Sequence, residues 1–306
     1  MKILIIGKIP PPIGGVTVHI KRFIEHLERH NLTYILLNYS NILNYLKVFK
    51  SYDIAHIHVS NKKLRVMLLI LLKLLRKNTI VTFHGKYNFI NKWDRISLKL
   101  STKNILLNDY SKNFADRHSK NNVLIGAFIP PSTLNNSLNI DTEKKLFEFR
   151  KKYRHIFCMN ASNMAFDSEG NEIYQGTQII DFFSKNPNLG LIFSDPSKNH
   201  LIKYNKIPSN IFFITEKHEF VDVFKYSNYL LRYTTTDGDS LSVKEALYFN
   251  LNVMASNCVE RPEGVILLNN INDILIYINN TNQVVKKPTN NYNTIINLYK
   301  QVSKYE

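Results

Sequence analysis

Short runs of β-branched and aliphatic residues alternate with helix-period segments along this 306-residue chain, and the alternation occurs twice. In the first half, residues 2–6, 33–38, 54–59, 79–83, 104–107 and 123–125 predict strands, and residues 16–29, 61–76 and 110–117 predict helices. Parallel neighbours cannot be joined by a tight turn, so each strand needs a crossover, and a helix is the usual one. The pattern therefore predicts a parallel, doubly wound sheet. A polar stretch bearing proline and asparagine, residues 129–137, interrupts it and reads as a linker.

The second half repeats the architecture. Strands are expected at 155–159, 189–193, 211–214, 229–231, 252–255 and 265–267, and helices at 177–184, 220–226, 242–248 and 272–278. Residues 289–304 carry one apolar stripe (Tyr292, Ile295, Ile296, Leu298, Tyr299, Val302) and predict a final amphipathic helix. The expected chain is α/β, with Rossmann-like doubly wound domains at 1–135 and 136–288 and a helical segment at 289–306.

Composition narrows the class. Hydrophobic content of 44% and charged content of 21% are ordinary for a globular protein. Cys158 and Cys258 lack metal spacing and lie in apolar runs, so buried free thiols and a reducing, cytoplasmic setting are expected. The opening apolar run is too short for a leader. Residues 64–75 are apolar but interrupted by Arg65 and Lys73, which favours a helix packed on a sheet. Lys62, Lys63, Arg65, Lys73, Arg76 and Lys77 surround that run, and a basic apolar helix also suits an anionic membrane surface. The net charge of +16 favours anionic partners. No zinc-finger spacing or RNA-binding aromatic signature is present, so nucleic acid is not the expected one.

Residues 232–255 read as strand, polar turn, helix, strand. Asp237 sits in the turn and Glu245 in the early helix. Open α/β sheets bind ligands outside the carboxyl ends of their strands, and a helix N-terminus there attracts phosphate. Acids beside it suit sugar hydroxyls, so a nucleotide-sugar site is expected. The structural alternatives are specific. Ser242-x-x-Glu245 fits a capping box, Asp237-Gly238 is an ordinary turn signal, and Asp239 suits a helix N-cap. Asp237-Gly238-Asp239 also matches an Asp-x-Asp metal pattern, but the cap is the preferred reading.

This segment resembles the acidic-x7-Glu motif of retaining GT-B glycosyltransferases of the family 4-like group. More narrowly, it is similar to a subset carrying Arg-x-Thr-x-x-Asp-Gly-Asp, then Ser-Val-x-Glu-Ala-Leu, then Arg-Pro-Glu-Gly-Val. Here these begin at Arg232, Ser242 and Arg261. The resemblance extends into the first half, through Gly14-Gly15 after the first strand, His56-x-His58, and Thr82-Phe83-His84-Gly85. It implies two Rossmann-like domains facing a cleft, and transfer of a sugar from a nucleoside-diphosphate sugar, most simply a UDP-sugar, to an acceptor hydroxyl. It also implies retention, no metal and no other cofactor.

The resemblance further implies roles. Glu245 would hold the donor ribose, Asp237 the sugar hydroxyls, and His84 would line the sugar pocket. Gly14, Gly15 and Lys8 would face the diphosphate, with Gly238, Asp239 and Ser240 beside the donor. A glycan or polyprenyl-diphosphate-linked acceptor in surface-polysaccharide assembly, at the inner membrane face, follows from the same likeness. Two positions depart from it. Where family members place a diphosphate-binding Arg and Lys, this chain has Asn160 and Gln175. Arg232 and Arg261 are the expected substitutes, since the guanidinium fork suits phosphate. The departures also fit a non-catalytic nucleotide- or glycan-binding partner subunit. His56 and His58 share a strand face, but no Cys or carboxylate nearby completes a metal site. A hydrogen-bonded pair is the preferred reading.

Overall fold

The computed structural model describes residues 1–11, 14–38, 52–131, 137–161, 163–204, 206–237, 240–278 and 287–303. The chain divides into two compact units, Met1–Ser132 with Thr289–Glu306, and Thr133–Pro288.

In the first unit the strands are β1 (Lys2–Ile6), β2 (Thr33–Leu37), β3 (Ile54–Ile57), β4 (Asn78–Phe83), β5 (Lys103–Leu106) and β6 (Asn122–Leu124). All pair in parallel, in the order β2-β1-β3-β4-β5-β6. The chain leaves β1 toward one edge and returns to its other side at β3. The crevice outside the carboxyl ends of β1 and β3 is therefore the topological switch point, where such sheets bind ligands.

Strand alternation sorts the core into two layers. Ile3 and Ile5 of β1, with Ile54, Ile80 and Ile105, face α1 (Gly15–Arg29) and the terminal helix. Leu4, Ile6, Ala55, Ile57, Val81 and Phe83 face the other layer, which includes α2 (Lys62–Leu74), α3 (Lys92–Leu100) and α4 (Asp109–Ala115). The terminal stripe is buried at all six expected positions, from Tyr292 to Val302, and packs in the first of these layers.

Arg65 of α2 is a core residue, not part of a basic rim. Only 1% exposed, it bonds the buried Asp94 carboxylate, donates to Ser97 Oγ at 3.0 Å and Val59 O at 3.2 Å, and lies over the Phe83 ring. Lys62 also pairs with Asp94, at 2.8 Å. A charge this deep is tolerated because its donors are matched. No helix among the described residues is long and apolar enough to cross a membrane.

The second unit has α5 (Ile140–Lys152), β7 (His155–Asn160), α6 (Gly176–Lys185), β8 (Leu189–Ser194), β9 (Ile211–Ile214), β10 (Tyr229–Arg232), α7 (Leu241–Tyr248), β11 (Asn252–Ser256), β12 (Val265–Leu268) and α8 (Ile274–Tyr277). Its strands are again all parallel, in the order β12-β11-β10-β7-β8-β9, so the switch point lies between β7 and β10. Residues 220–226 form a 3-10 helix instead of the expected α-helix. Helices α3 and α5 have no counterpart among the expected elements. Their signals were caps rather than long apolar stripes: Asn91 accepts from Trp93 N and Asn139 from Thr142 N, with Asp141 and Glu143 in the first turn of α5 and three basic residues in its last. The final helix, α9 (Tyr292–Ser303), belongs to the first unit.

Candidate active site

In the second unit, β10 ends at Arg232 and the chain turns through Asp237 into α7. Arg232 donates to both carboxylate oxygens of Asp237, Nε to Oδ2 at 3.0 Å and a terminal nitrogen to Oδ1 at 2.9 Å. Arg261, arriving from beyond β11, donates to Oδ2 at 2.7 Å and to Ser256 O at 3.1 Å. The three side chains are 13%, 6% and 2% exposed for Arg232, Asp237 and Arg261. Burial works against an ionised Asp237. The bidentate Arg232 fork, joined by Arg261, outweighs it and holds the carboxyl below its usual range. The sequence separates these three residues into a sugar-binding acid and two diphosphate-binding cations. The structure joins them into one ion cluster, in which the Arg232 guanidinium also lies 5.0 Å from the Tyr174 ring centre.

Glu245 is buried at 5% exposure on α7. Ser240 is the N-cap of that helix, with its hydroxyl 3.0 Å from that of Ser242. Ser242 lies inside the helix rather than at its cap, so the proposed Ser242–Glu245 capping box does not form. Gly238 and Asp239 lie outside the described residues.

At the switch point itself, Asn171, Glu172, Gln175, Thr177, Gln178, Asp181 and Thr235 line a cavity of about 500 Å³. That is within the usual size of a small-molecule site. Gln175, standing where a lysine is expected, takes a left-handed conformation at the N-cap of α6. The first amides of α6 are met by Glu172, whose oxygens accept from Gly176 N at 2.8 Å and Thr177 N at 3.2 Å. A protein carboxylate thus caps a helix end that would otherwise suit an anionic ligand. Asn160 Oδ1, at the end of β7, is buried without a hydrogen-bond partner.

Behind this rim lies a group that sequence reasoning missed. His200 is fully buried, with Nε2 2.5 Å from Glu172 Oε1 and Nδ1 3.7 Å from Asp195 Oδ1. Burial pulls the His200 pKa down, but the two carboxylates outweigh it and raise it above the ordinary value. Burial pushes Glu172 up; bonds from His200 and Thr177 reverse that and lower its pKa to about 2. A Cβ on Gly176 would stand 2.5 Å from the His200 ring, so glycine is required for the approach. These residues are scattered over 29 positions, 172 to 200, and no local spacing reports their meeting. Cys158 is buried, its thiol pushed up to about 12, whereas Cys258 is exposed, contrary to the expectation of two buried thiols.

In the first unit, the loop after β1 carries Lys8, Gly14 and Gly15. Gly14 is the N-cap of α1 in extended backbone, φ −166°, and Thr17 Oγ1 both accepts from its amide and donates to its carbonyl at 3.0 Å. Among the described residues, a Cβ on Gly14 would meet only Thr17 Oγ1 at 3.9 Å, and one on Gly15 would meet nothing within 4 Å. Neither backbone conformation nor packing requires glycine at these positions. Pro12 and Ile13 lie outside the described residues.

Facing that loop's end of the sheet are four histidines. His56, fully buried, has one ring nitrogen 2.5 Å from the Tyr299 hydroxyl and the other 2.7 Å from Thr82 Oγ1. His58 Nδ1 lies 2.8 Å from His84 Nε2, and His58 Nε2 has no partner. His19 of α1 donates from Nδ1 to Ala127 O at 2.8 Å. Burial lowers the pKa of all four, His19 to about 4 and His56 to about 3, and mutual repulsion lowers those of His56, His58 and His84 further. The His56–His58 pair is hydrogen-bonded within the fold, but to other partners rather than to each other. His84 is the more exposed member, on a turn whose Gly85 has φ +136°.

No family model matches this sequence, and no curated protein sequence matches it. Among solved structures, the chain is similar to Anabaena Alr3699/HepE in complex with UDP-glucose, at 14% identity, TM-score 0.61, and 100% and 99% coverage of the two chains. It is also similar to a putative UDP-N-acetylglucosamine 2-epimerase from Listeria monocytogenes, at 13% identity, TM-score 0.64, and 100% and 96% coverage. A third is the lipopolysaccharide outer core galactosyltransferase WaaB, at 12% identity, TM-score 0.57, and 99% and 95% coverage. At such identities the likeness concerns fold, and the fold hosts both transfer and epimerisation. The chain has the α/β architecture of GT-B glycosyltransferases, two six-stranded parallel sheets with helices packed on them.

Proposed function

We propose that this chain is a glycosyltransferase that moves a sugar from a nucleoside-diphosphate sugar, a UDP-sugar by preference, to an acceptor hydroxyl. The observation that carries this reading is the Gly14–Gly15 pair. The fold does not require glycine there, yet the pair opens space before the N-terminal amides of α1, at the sheet's switch point. The cavity at the second switch point and the adjacent Arg232–Asp237–Arg261 cluster add support.

Donor binding on this reading is an exchange of anions. The diphosphate replaces the Asp237 carboxylate at Arg232, the more exposed of the two arginines, and Asp237 turns to the sugar hydroxyls. Arg261 stays behind as an anchor to Ser256 and as background positive charge. Lys8 and Ser240 complete the polar surroundings of the donor, Glu245 holds the ribose and His84 borders the sugar. Protein cations and helix amides offset the charge of the leaving diphosphate, so no divalent ion is assigned to it. The transfer is retaining, with the leaving diphosphate helping to take up the acceptor proton.

The acceptor is a glycan or a polyprenyl-diphosphate-linked sugar in surface-polysaccharide assembly at the inner face of the membrane. Helix α2 supports that setting: Met67, Ile70 and Leu74 are exposed at helical spacing, with Lys63 and Lys73 exposed on the same helix and Arg76 just beyond its end.

Asn160 and Gln175 favour a second reading, a nucleotide- or glycan-binding subunit that does not turn over. The test pairs binding with turnover. UDP, GDP, ADP and CMP are compared for thermal stabilisation, and hydrolysis of the matching nucleotide sugar is measured with Glu245→Gln as the variant. Stabilisation by one nucleotide, with turnover lost in the variant, supports the transferase. Binding without hydrolysis or transfer supports the subunit, and absence of binding to every nucleotide removes the transferase and leaves a glycan-binding subunit.

A further inference from the structure

The histidines of the first unit are not explained by sugar transfer alone. His19, His58 and His84 come from α1, the end of β3 and the end of β4, and one ring nitrogen from each lies within 4.8 Å of the other two. His56, next to them, has both nitrogens engaged by Tyr299 and Thr82 and is excluded from the set.

We propose that His19, His58 and His84 form a three-histidine site for a divalent transition metal ion, zinc being the ion whose chemistry the donor set fits best.

The tautomers favour it. A carbonyl only accepts, so His19 must carry its proton on Nδ1 to bond Ala127 O, and its Nε2 then presents a lone pair. A backbone carbonyl behind the far nitrogen is the usual support for a metal-bound imidazole. His58 Nδ1 and His84 Nε2 lie 2.8 Å apart and share one proton. Moving that proton to the other nitrogen of its own ring leaves both facing nitrogens with lone pairs for a cation, and both rings neutral. His58 is 3% exposed, and its Nε2, without a partner among the described residues, is the nitrogen left to carry the ring's proton when Nδ1 binds a cation. Metal ligation requires neutral imidazole, and burial keeps these rings neutral well below neutral pH.

Geometry and charge set the ion class. Zinc–nitrogen bonds of about 2.0–2.1 Å place tetrahedral ligands roughly 3.3 Å apart, a value between the 2.8 Å of His58 Nδ1 to His84 Nε2 and the 4.8 Å outer bound of the set. The set has no carboxylate, which disfavours magnesium and calcium, and no thiolate, which disfavours copper(I). Three imidazoles leave one position open. His84 is the one ligand of the three that is not fully buried. Gly7 is part of the construction: a Cβ there would press on Ile20 at 2.6 Å and on His58 Cβ at 3.3 Å.

The test uses the untagged chain, stripped of metal, in the absence of nucleotide, so its outcome does not depend on the proposed transfer. Cobalt(II) is titrated and the visible band of a tetrahedral complex is followed, then zinc is added in competition. One equivalent of cobalt should give the band and zinc should displace it. His84→Gln and His19→Gln should each weaken binding by more than the roughly 10- to 100-fold that loss of a partner behind a ligand costs. Trp93 fluorescence verifies that each variant is folded, and either folded variant suffices. Absence of the tetrahedral band, or a band of undiminished affinity in a folded variant, overturns the proposal.

Discussion

At the switch point of the first sheet the polar groups are four histidines kept neutral, three of them buried. At that of the second they are buried carboxylates and cations kept charged. Both sheets are parallel, both are wrapped by helices on two faces, and both reverse direction at their first strand. The difference therefore arises from what each crevice is lined with, not from topology. In the first, no carboxylate shares the cluster, so desolvation decides the protonation state. In the second, Glu172 is paired with His200 and Asp237 with Arg232 and Arg261, and pairing decides it.

Acid should break the comparison with the largest effect. His19 and His56 have folded-state pKa values of about 4 and 3, below the unfolded value near 6.5. Above that value neither state carries the proton and these groups add no pH dependence. As the pH falls below it the unfolded chain takes up protons that the folded unit refuses. Stability of the first unit then drops by about 1.4 kcal/mol per pH unit for each histidine kept neutral. His200, with its pKa raised, behaves oppositely. Its contribution is complete below about 6.5 and is lost as pH rises through the higher folded value.

Between about pH 7 and pH 5, denaturant unfolding should therefore find the first unit weakened by its neutral histidines, whereas the second keeps its His200 term and is weakened through His155 and His218, whose pKa values burial lowers. The chain supplies a probe for each. Its one tryptophan, Trp93, reports the first unit, and labelling of the buried Cys158 reports the second, with the exposed Cys258 reacting throughout. Equal losses by both probes would show that the histidines do not set the acid response.

Asp237→Ala comes next. It leaves Arg232 and Arg261 facing each other in a site where neither is more than 13% exposed. Removing one partner of a buried ion pair typically costs about 3–5 kcal/mol. Added UDP should recover part of that loss if the diphosphate occupies the vacated arginines. The variant's unfolding midpoint with and without UDP checks both statements, and a variant as stable as the parent would show that the cluster is only decorative.

The strands and the six-residue stripe of α9 were legible because each reports its own burial through local periodicity. The 3-10 geometry of residues 220–226 was not, since its apolar spacing also fits an α-helix. The sites divide in the same way. Asp237 and Glu245 stand out through their turn-and-helix setting, but that Asp237 is clamped by Arg261, 24 positions on, is a tertiary fact. His56-x-His58 was visible as a pair, whereas the partners of His58 come from α1 and β4. Glu172, Asp195 and His200 left no local pattern, although Gly176 beside a left-handed Gln175 marks a close approach in retrospect.

Glu172→Gln should sharpen the comparison with a moderate effect. It removes the charge that His200 faces and keeps an acceptor oxygen for one of the two amides, Gly176 N or Thr177 N, which bond different oxygens of Glu172. Loss of a charge-assisted bond suggests a cost of about 1.5–3 kcal/mol near neutral pH. The Glu172 contribution is complete above the unfolded value of 4.5 and disappears as pH falls through its folded value of about 2. Parent and variant should therefore converge in strong acid. A stability difference that persisted there would assign the cost to packing instead of charge.

Gly15→Ala carries the smallest effect on stability and the sharpest one on function. Gly15 is the first residue of α1, in a conformation that alanine shares, and a methyl group there meets no atom of the described residues within 4 Å. Replacing a helical glycine by alanine without strain should raise stability by about 0.4–1 kcal/mol. A ligand lying against the loop would meet that methyl. Nucleotide binding should then weaken while the unfolding midpoint stays level or rises, the opposite of the correlation expected when a mutation acts through the fold. If nucleotide affinity is unchanged in a stabilised Gly15→Ala variant, the loop does not approach the diphosphate. Donor recognition would then rest with the charged crevice of the second unit, and the neutral crevice of the first would be left to its histidines.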